Sequence, residues 1–393
     1  MAIQIRTIQD LMKATYIDKR FLGAAHQMGI SKSDAPMLSS TDGVFTAIAG
    51  AKIFSQLNNE SNIWSLFPKR PYDEAAERIV TVRGFTAGTG GRADGAAVPD
   101  TTKATMVKIE QMPKLIFHPF SAGIMHTALV NKGYNDAVGS NATMNAHYGG
   151  EHIKCMNEMF GKNAQTEAAG AGAARTSTDM LNFESLDRII SSDSEEDVLG
   201  GTYDSWYDPY GTEVDRDSGT TYDSVVLHNS GTDRYITTKL VQQLMDDTKS
   251  AGANRAGQFF LTGHDTAGDL NELYSPQGVY TTIKVKVGMN GVEVAGDNEV
   301  GISVASINGI PLFVSDDIPK DTKSKLFLID SSDPNGEGKP RMSIDVLQPT
   351  VFVTAGEMKI FEVAKFANLA GYLTMAELKC RNFVVQGKLT DLK

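Results

Sequence analysis

The chain has 393 residues, of which 41% are hydrophobic and 22% charged, and its formal net charge is -11. This is the composition of a globular protein with room for two or three domains, and it excludes a wholly disordered chain. The acidic balance also argues against tight, sequence-independent nucleic-acid binding, because such binding requires clustered cations that release phosphate counterions.

The two cysteines, Cys155 and Cys380, are too few for a disulfide scaffold or a four-thiolate zinc site. Two buried free thiols are favoured over a single disulfide. The N-terminus lacks the basic start and apolar core of a secretory signal, and no window contains 18 consecutive apolar residues. We therefore expect a soluble protein, without a membrane partner, that folds in a reducing compartment.

The first 60 residues predict a weakly packed arm. Residues 1–40 contain five cations and three anions, so this arm is mildly basic. Residues 31–41 are polar, include Pro36 and are interpreted as a linker. The frayed edge of a first domain explains the same features equally well. A helical pattern is present before the linker, formed by Ile8, Leu11, Met12 and Thr15.

A long hairpin follows the arm. Residues 78–85 and 103–110 have the composition of strands, and in the second of them Thr105, Val107 and Ile109 alternate with polar or larger residues. The segment between the strands is rich in glycine and far too long for a tight turn. Because two strands alone are only marginally stable, we expect this hairpin to lie on another surface, such as a neighbouring subunit.

The rest of the chain predicts an α+β pattern. Helices are predicted at residues 141–166, 180–192 and 234–250, and the second is a short amphipathic helix with Asn182 as its N-cap. One face is formed in the first by Ile153, Met156, Met159 and Phe160, and in the third by Ile236, Leu240, Leu244 and Thr248. Asn308-Gly309 is a strong hairpin signal, and Pro311 places the following strand at an edge or at its first residues. Strands are predicted at residues 279–287, 300–307, 310–315, 326–329 and 344–353.

Two glycine- or histidine-containing motifs were weighed as catalytic or cofactor sites. Residues 88–93 imitate a dinucleotide fingerprint, but Ala93 replaces its third glycine and a loop follows instead of a helix, so a loop tip is favoured. His147, Glu151 and His152 are potential metal ligands that are better explained as solvated or core residues.

Two further candidates carry carboxylates. Asp265 follows His264 at the start of a helix, and the role of N-cap explains it without catalysis. Residues 193–223 contain ten acidic residues and Arg216, so they hold nine of the eleven net negative charges. Asp215 begins a calcium-like loop whose twelfth position is Val226 instead of Glu, and a solvated face is therefore favoured over a calcium or magnesium site. The sequence yields no catalytic, cofactor-binding or metal residue.

The order of these elements resembles that of the major capsid proteins of tailed viruses, which have the Hong Kong 97-type fold. Three local segments are also similar to parts of that family: residues 63–69 before the extended loop, 183–192 at the start of the axial domain, and 307–319 near its end. The resemblance covers about residues 60–370. It implies an α+β fold with an N-terminal arm, an extended two-stranded loop, a long spine helix and an axial domain.

The resemblance also implies a domain division and a function. The arm would be residues 1–60, the extended loop 61–118, the peripheral domain with the spine helix 119–178, the axial domain 179–345, and a C-terminal return to the peripheral domain 346–393. The chain would form pentamers and hexamers of an icosahedral shell around double-stranded DNA, with weak, non-specific DNA contact, no cofactor and no turnover.

Scaffolding, portal and decoration proteins are further partners implied by the family, as are a virion location and the host cytoplasm before assembly. Some family members form a Lys–Asn isopeptide bond assisted by Glu. Lys103 and Lys108 lie in the hairpin, but no motif identifies the Asn and Glu, so this chemistry is not carried over.

Two alternatives remain open on the sequence. An encapsulin-type compartment shares the fold, although its typical members have little N-terminal arm. A soluble hydrolase would use His264 and Asp265, or the region of His147 and His152, and would require a pocket with perturbed pKa values.

Overall fold

The computed structural model describes residues 37–38, 63–72, 76–81, 93–94, 105–110, 113–123, 141–164, 181–195, 206–207, 213–214, 223–277, 280–288, 290–295, 302–334, 336, 338–354 and 367–393. The chain divides into two compact units. The first unit comprises residues 1–59, 116–154 and 349–374, and the second comprises residues 60–115, 155–348 and 375–393.

The predicted hairpin is present in the second unit. Strands β3 (Ala76–Thr81) and β4 (Thr105–Glu110) pair antiparallel, with Ile79 opposite Val107. They form a two-stranded sheet of their own, and no other described strand joins it. The glycine-rich segment between them lies almost entirely outside the described residues.

A five-stranded sheet contains the long strands of the molecule. Its members are β1 (Met37–Leu38), β2 (Lys69–Pro71), β5 (Lys114–Gly123), β15 (Met342–Thr354) and β16 (Ala367–Cys380), in the order β1-β5-β16-β15-β2. Residues 31–41 were interpreted as a linker, and the structure corrects this: β1 lies within them and pairs parallel with β5, Met37 opposite Ser121. Two residues are too short a strand for alternation to reveal.

Helix α2 (Asn141–Phe160) confirms the long helix that the sequence predicts, although it ends six residues earlier than expected. Its buried residues include Met156 and Phe160, whereas Ile153, which was predicted on the same face, is 41% exposed. In the first unit, Tyr148 of α2 stacks on Phe120 of β5 with ring centroids 4.4 Å apart. This aromatic pair is the centre of that unit's core.

The second unit is built on an eight-stranded mixed sheet with the order β11-β10-β12-β13-β9-β14-β17-β8. Its strands are β8 (Val225–Leu227), β9 (Gln258–Thr262), β10 (Tyr280–Gly288), β11 (Gly291–Val294), β12 (Ile302–Ile307), β13 (Ile310–Val314), β14 (Leu326–Asp330) and β17 (Gly387–Leu389). Two short strands, β6 (Trp206–Tyr207) and β7 (Glu213–Val214), pair separately.

Apolar side chains of helices pack on this sheet. The helices are α1 (Ile63–Leu66), α3 (Leu186–Ile189), α4 (Thr238–Ser250) and α5 (His264–Tyr274). Leu244 of α4 and Leu270 of α5 are fully buried in one core with residues of the central strands. Of the face predicted for the 234–250 helix, Ile236, Leu244 and Thr248 are buried and Leu240 is partly buried. The helix begins at Thr238, so Ile236 precedes it.

The β12–β13 hairpin confirms its turn signal. Asn308 and Gly309 both have positive φ, 54° and 78°, as a two-residue hairpin turn requires. Pro311 is the second residue of β13 and pairs with Ser306. The edge placement is wrong, since β13 lies between β12 and β9, whereas the placement among the first residues is right.

The short helix after residue 180 differs from its prediction. The α-helical part is the single turn α3, and its N-cap is Ser185 instead of Asn182. The Ser185 hydroxyl accepts a hydrogen bond from the Arg188 backbone N–H. Buried charges, described below, replace the apolar face that the pattern suggested.

Candidate functional site

The three segments that carry the family resemblance meet in the second unit, at the C-terminal end of helix α2. The indole of Trp64 lies 6.0 Å from the ring of Phe160 and 6.0 Å from the ring of Phe183. Phe160 and Phe183 stack with centroids 5.1 Å apart and planes within 5°. The Trp64 backbone N–H also donates to the Asn157 side chain at 3.2 Å. Segments over a hundred residues apart are therefore fixed to one helix end.

The third segment reaches the same place through its backbone. Gly161 follows α2, and a Cβ atom built on it would lie 1.5 Å from the carbonyl oxygen of Asp317. Only glycine allows the 307–319 segment to pass so close to the helix end. We call the region where these segments meet the junction.

A buried ion cluster lies beside the junction, centred on Asp187 of α3. The Lys325 and Lys388 ammonium groups each donate to the Asp187 carboxylate at 2.9 Å, one to each oxygen. Lys388 also contacts the carboxylate of Glu195 at 2.7 Å. The four side chains are at most 1% exposed, and their formal charges sum to zero. Ala164, just after α2, donates its backbone N–H to Asp187 as well.

The electrostatics of this cluster follow from burial and pairing. Burial alone would raise the pKa of Asp187, but the ammonium groups of Lys325 and Lys388 outweigh it and hold that pKa well below its usual range. Burial raises the pKa of Glu195, against the opposing effect of Lys388. The ionised Asp187 carboxylate therefore links α3 to Lys388 in β17 and to Lys325, the residue directly before β14.

A second buried cluster lies on the other side of α3. Lys114 contacts Glu377 at 2.9 Å and Glu184 at 3.2 Å, and the Nε atom of Arg188 lies 3.0 Å from Glu184. Burial raises the pKa of Glu377 even though Lys114 lies beside it. Together, the two clusters place eight charged side chains in the interior around a single helical turn.

Sequence reasoning missed these clusters. The segment that includes Glu184, Asp187 and Arg188 was interpreted as an amphipathic helix, whose charges normally face solvent. One signal was available: Lys325 directly precedes the four apolar residues, Leu326 to Ile329, that begin β14. A charge flanking a buried strand indicates a buried partner, but the sequence does not identify which carboxylate it is.

The histidine motif belongs to the first unit. His147 lies 3.0 Å from Glu151, an i,i+4 contact on α2, and His118 of β5 lies 3.7 Å from the same carboxylate. His152 is fully buried and its Nε2 atom is hydrogen-bonded to the Thr374 hydroxyl at 2.8 Å. Burial, with a smaller effect of His118, lowers the pKa of His152 to about 4, so the ring is neutral near pH 7.

The second histidine motif is on the surface of the second unit. His264 lies 3.4 Å from Asp316, and both side chains are at least half exposed. The expected N-cap role of Asp265 is wrong: Gly263 is the N-cap, and Asp265 lies in the first turn. Its carboxylate accepts hydrogen bonds from the backbone N–H groups of Thr266 and Ser324, so it joins α5 to the loop before β14.

The remaining sequence candidates lie largely outside the described residues. Of residues 88–93 only Ala93 is described, and most of the acidic segment 193–223 is not. At the ends of that segment, the Asp223 carboxylate accepts a hydrogen bond from the Asp193 backbone N–H. The described residues contain no group of three or more side chains that would hold a metal ion. Cys155 and Cys380 are both free, as the sequence predicts, but only Cys380 is buried and Cys155 is half-buried.

A cavity of about 460 Å³ in the second unit is lined by residues of both charges, among them Lys69, Arg70, Glu293 and Asp333. Burial lowers the pKa of Lys69 to about 8, and its ammonium group donates to the Phe67 carbonyl at 3.0 Å. The lining does not select one class of ligand. Within the described part of the chain, no helix combines the length and apolar character needed to cross a bilayer.

Comparisons with known proteins bear on the fold. No protein-family model and no curated protein matches the chain. Its structure is similar to a chain of the cyanophage A-1(L) capsid asymmetric unit, with a TM-score of 0.57 at 13% identity, covering 88% of this chain and 97% of the other. A capsid chain of the native GTA particle gives a TM-score of 0.49 at 13% identity, and the match covers 92% of this chain and 100% of the other. A chain of the holo-SrpI encapsulin complex from Synechococcus elongatus PCC 7942 gives 0.43 at 12% identity, covering 88% and 93%.

The similarity to the cyanophage capsid chain shows that this protein has the Hong Kong 97-type capsid fold. The predicted α+β class is confirmed with it, and so is the family resemblance at the level of the fold. The boundaries of the arm, extended loop, peripheral domain, axial domain and C-terminal return stay a prediction.

Proposed function

We propose that this chain is the major capsid protein of a tailed virus, a structural subunit that assembles as pentamers and hexamers into an icosahedral shell around double-stranded DNA. The observation that carries the proposal is the capsid fold, which extends over 88% of the chain. Because one fold can host several functions, the proposal also depends on features of this chain itself.

The hairpin is the first such feature. Strands β3 and β4 form a sheet that no other described strand extends, although two strands alone are marginal in water. A subunit that assembles into a closed lattice can stabilise such an element by placing it on a neighbour. We propose that the extended loop of residues 61–118 reaches a neighbouring subunit through β3 and β4, whereas α1 and β2 pack within their own subunit.

The charge distribution is the second feature. The chain is acidic overall, and the cations Lys114, Arg188, Lys325 and Lys388 are buried in ion clusters. An acidic chain attracts DNA only weakly, which suits a shell that encloses packed DNA without binding it tightly. We assign any DNA contact to weak, non-specific attraction by the mildly basic residues 1–40.

The third feature concerns the residues weighed as catalytic. His152 and Asp265 each have a structural partner that accounts for their position: the Thr374 hydroxyl for His152, and the backbone N–H groups of Thr266 and Ser324 for Asp265. A structural protein without turnover or cofactor is therefore favoured over a hydrolase. Scaffolding, portal and decoration proteins are the partners we propose, with a virion location after assembly in the host cytoplasm.

Size-exclusion chromatography of the expressed chain, followed by negative-stain microscopy of the void fraction, tests the proposal. We expect closed uniform shells, or five- and six-membered rings. Shells that contain a protein cargo instead of DNA would assign the chain to an encapsulin-type compartment. A chain that stays monomeric with crowding agent and a co-expressed scaffold would contradict both shell functions.

A further inference from the structure

Among the described residues, one face of the first unit's sheet exposes large apolar side chains. Phe117 of β5 is 49% exposed, and Val351 and Val353 of β15 are 37% and 42% exposed. Soluble proteins seldom expose several large apolar side chains together unless something binds them. Such a face calls for an occupant.

The alternation of the strands shows that these side chains share one face. The rings of Phe352 and Tyr372 lie 6.0 and 6.2 Å from Phe120, which stacks on Tyr148 of helix α2. In this part of β5, β15 and β16 the even-numbered side chains therefore face the helix, and the odd-numbered ones face away from it. We define the outer face by the residues that point away from α2: Phe117, Pro349, Val351, Val353, Leu369 and Leu373.

The outer face is continuous across its three strands, which are adjacent in the order β5-β16-β15. A Cβ atom on Gly371 would lie 2.6 Å from the ring of Phe117, so the ring lies across β16 at the point where it has no side chain. Strands lie about 4.8 Å apart, so the outer face is roughly 15 Å wide, which is enough to accept one helix.

The N-terminal part of the chain is attached at the edge of this same sheet. Strand β1 pairs parallel with β5, with Met37 opposite Ser121 and Leu38 opposite Ala122. Because the two strands run in the same direction, the chain enters β1 from the end of the sheet at which Phe117 lies. Residues 1–36 precede that point, and none of them belongs to the described residues.

We propose that residues 5–22 of the same chain bind to the outer face as an amphipathic helix. Their apolar stripe, Ile8, Leu11, Met12 and Thr15, has the spacing of one helix face. Three cations of this segment, Arg6, Lys13 and Arg20, fall outside that stripe and would face solvent. Lys19 lies in line with the stripe near the end of the segment, where its long side chain can extend its ammonium group into solvent.

The connection is long enough for this arrangement. Residues 23–36 provide 14 residues between the segment and β1, which span up to about 46 Å when extended. Intramolecular attachment also gives the segment a high effective concentration at the face, so even a weak apolar contact is populated. The proposal concerns the single subunit and does not depend on the shell function.

Maleimide labelling of a reporter cysteine tests it in the full chain. Val353→Cys is introduced in a Cys155→Ser background, where the remaining Cys380 is buried. Adding Leu11→Asp and Met12→Asp removes the apolar stripe, and we expect the labelling rate of the reporter to rise at least about ten-fold. The matched control, Gln9→Asp with Ala14→Asp, adds the same charge off the stripe and is expected to leave the rate unchanged.

Three outcomes would overturn the proposal. One is an equal labelling rate with and without the stripe, and a second is a rate that increases as strongly in the matched control. The third is protection that disappears on dilution, which would make a second copy the occupant. Ile302→Cys, in the second unit, is a reporter whose rate is expected to stay constant in every variant.

A cross-linking measurement avoids any change to the stripe's charge. Leu11→Cys and Val353→Cys are joined with a short bismaleimide in a mixture of isotope-labelled and unlabelled chains. We expect cross-linked peptides in which both halves carry the same label. Mixed-label pairs, or no cross-link between these two positions, would contradict binding within one chain.

Discussion

Asp187 illustrates how a single carboxylate organises the interior of the second unit. It receives Lys325 on one oxygen and Lys388 on the other, and its backbone carbonyl accepts a further bond from Lys388 at 2.9 Å. A buried ion pair of this kind adds little net stability compared with apolar residues, but removing one partner leaves an uncompensated buried charge. The cluster therefore specifies position more than it adds to the free energy of unfolding.

The first prediction is that Asp187→Asn lowers the free energy of unfolding of the second unit by about 3–5 kcal/mol. The substitution leaves Lys388 with Glu195, whose pKa is itself raised by burial, and leaves Lys325 with the more distant carboxylate of Asp321 at 3.6 Å. Urea denaturation followed by circular dichroism measures the loss.

Asp246→Asn is the control for this substitution. Asp246 lies on the exposed face of α4, and its replacement is expected to change the free energy of unfolding by less than about 0.5 kcal/mol. Equal losses for the two variants would show that the buried cluster has no special role.

The second prediction concerns His152 and pH. Its pKa in the folded protein is about 4, whereas that of an unfolded histidine is about 6.5. Between these values the unfolded chain binds a proton that the folded chain excludes, so stability falls as the pH is lowered from 6.5 to 4. The slope is at most about 1.4 kcal/mol per pH unit from this residue.

Thermal denaturation of the wild type and of His152→Asn between pH 7 and 4 measures this effect. We expect the substitution to flatten the pH dependence of the first unit's unfolding, since asparagine retains a polar contact with Thr374 but does not titrate. His264→Asn, at an exposed position, is expected to preserve the wild-type slope. If the pH dependence of stability is as steep in His152→Asn as in the wild type, His152 is not its source.

The sequence predicted individual residues best where local rules decide. Asn308-Gly309 imposes its own turn geometry, and a pair of cysteines gives few alternatives. Prediction from the sequence failed where a residue's role depends on distant partners. Lys388 and Asp187 are 201 residues apart, and no local pattern indicates that they pair. The capping of α3 failed for a related reason, because burial shortened the helix to one turn.

At the scale of elements, helix α2 is defined as much by its end as by its periodicity. Its length was predicted to within six residues, but the close passage of the Asp317 carbonyl by Gly161 could be found only in the structure. A glycine just after a helix has a generic explanation as a stop signal. Here a tertiary contact accounts for it instead.

The third prediction is that Gly161→Ala destabilises the second unit by about 3 kcal/mol, because its Cβ would overlap the backbone carbonyl of Asp317 and force the two segments apart. The midpoint of urea denaturation measures it. Gly268→Ala, in α5, is the control: nothing lies within 4 Å of its Cβ, and alanine favours helix. We expect that variant to be neutral or stabilised by up to about 1 kcal/mol.

At the scale of the whole molecule, the order of elements carried the sequence prediction. Each local motif was weak, yet a hairpin, a long helix and a strand-rich end in succession indicated the capsid fold that the comparison shows. The mixed strand order of the eight-stranded sheet was not predictable, because parallel partners such as β9 and β13 lie about 50 residues apart. The alternation of apolar and polar residues shows which face of a strand is buried, but it does not show which other strand lies beside it.

The fourth prediction concerns assembly. Deleting residues 87–97 shortens the glycine-rich segment between β3 and β4, and no described core residue belongs to it. We expect a folded subunit with an unchanged denaturation midpoint that forms few or no shells, because the proposed contacts of the hairpin are with neighbours. Size-exclusion chromatography and negative-stain microscopy measure shell formation. Normal shells from the deletion variant would contradict the proposal that the hairpin is an extended loop between subunits.

Strand β17 lies near the end of the sequence and in the interior of the larger sheet, between β14 and β8. Strand β8 is joined to the sheet only through it, and Lys388 within it completes the Asp187 cluster. The sheet therefore cannot reach its full width before β17 has been synthesised. A chain interrupted ahead of β17 leaves one edge of β14 and one edge of β8 without their described partner, and open strand edges are sites at which chains aggregate.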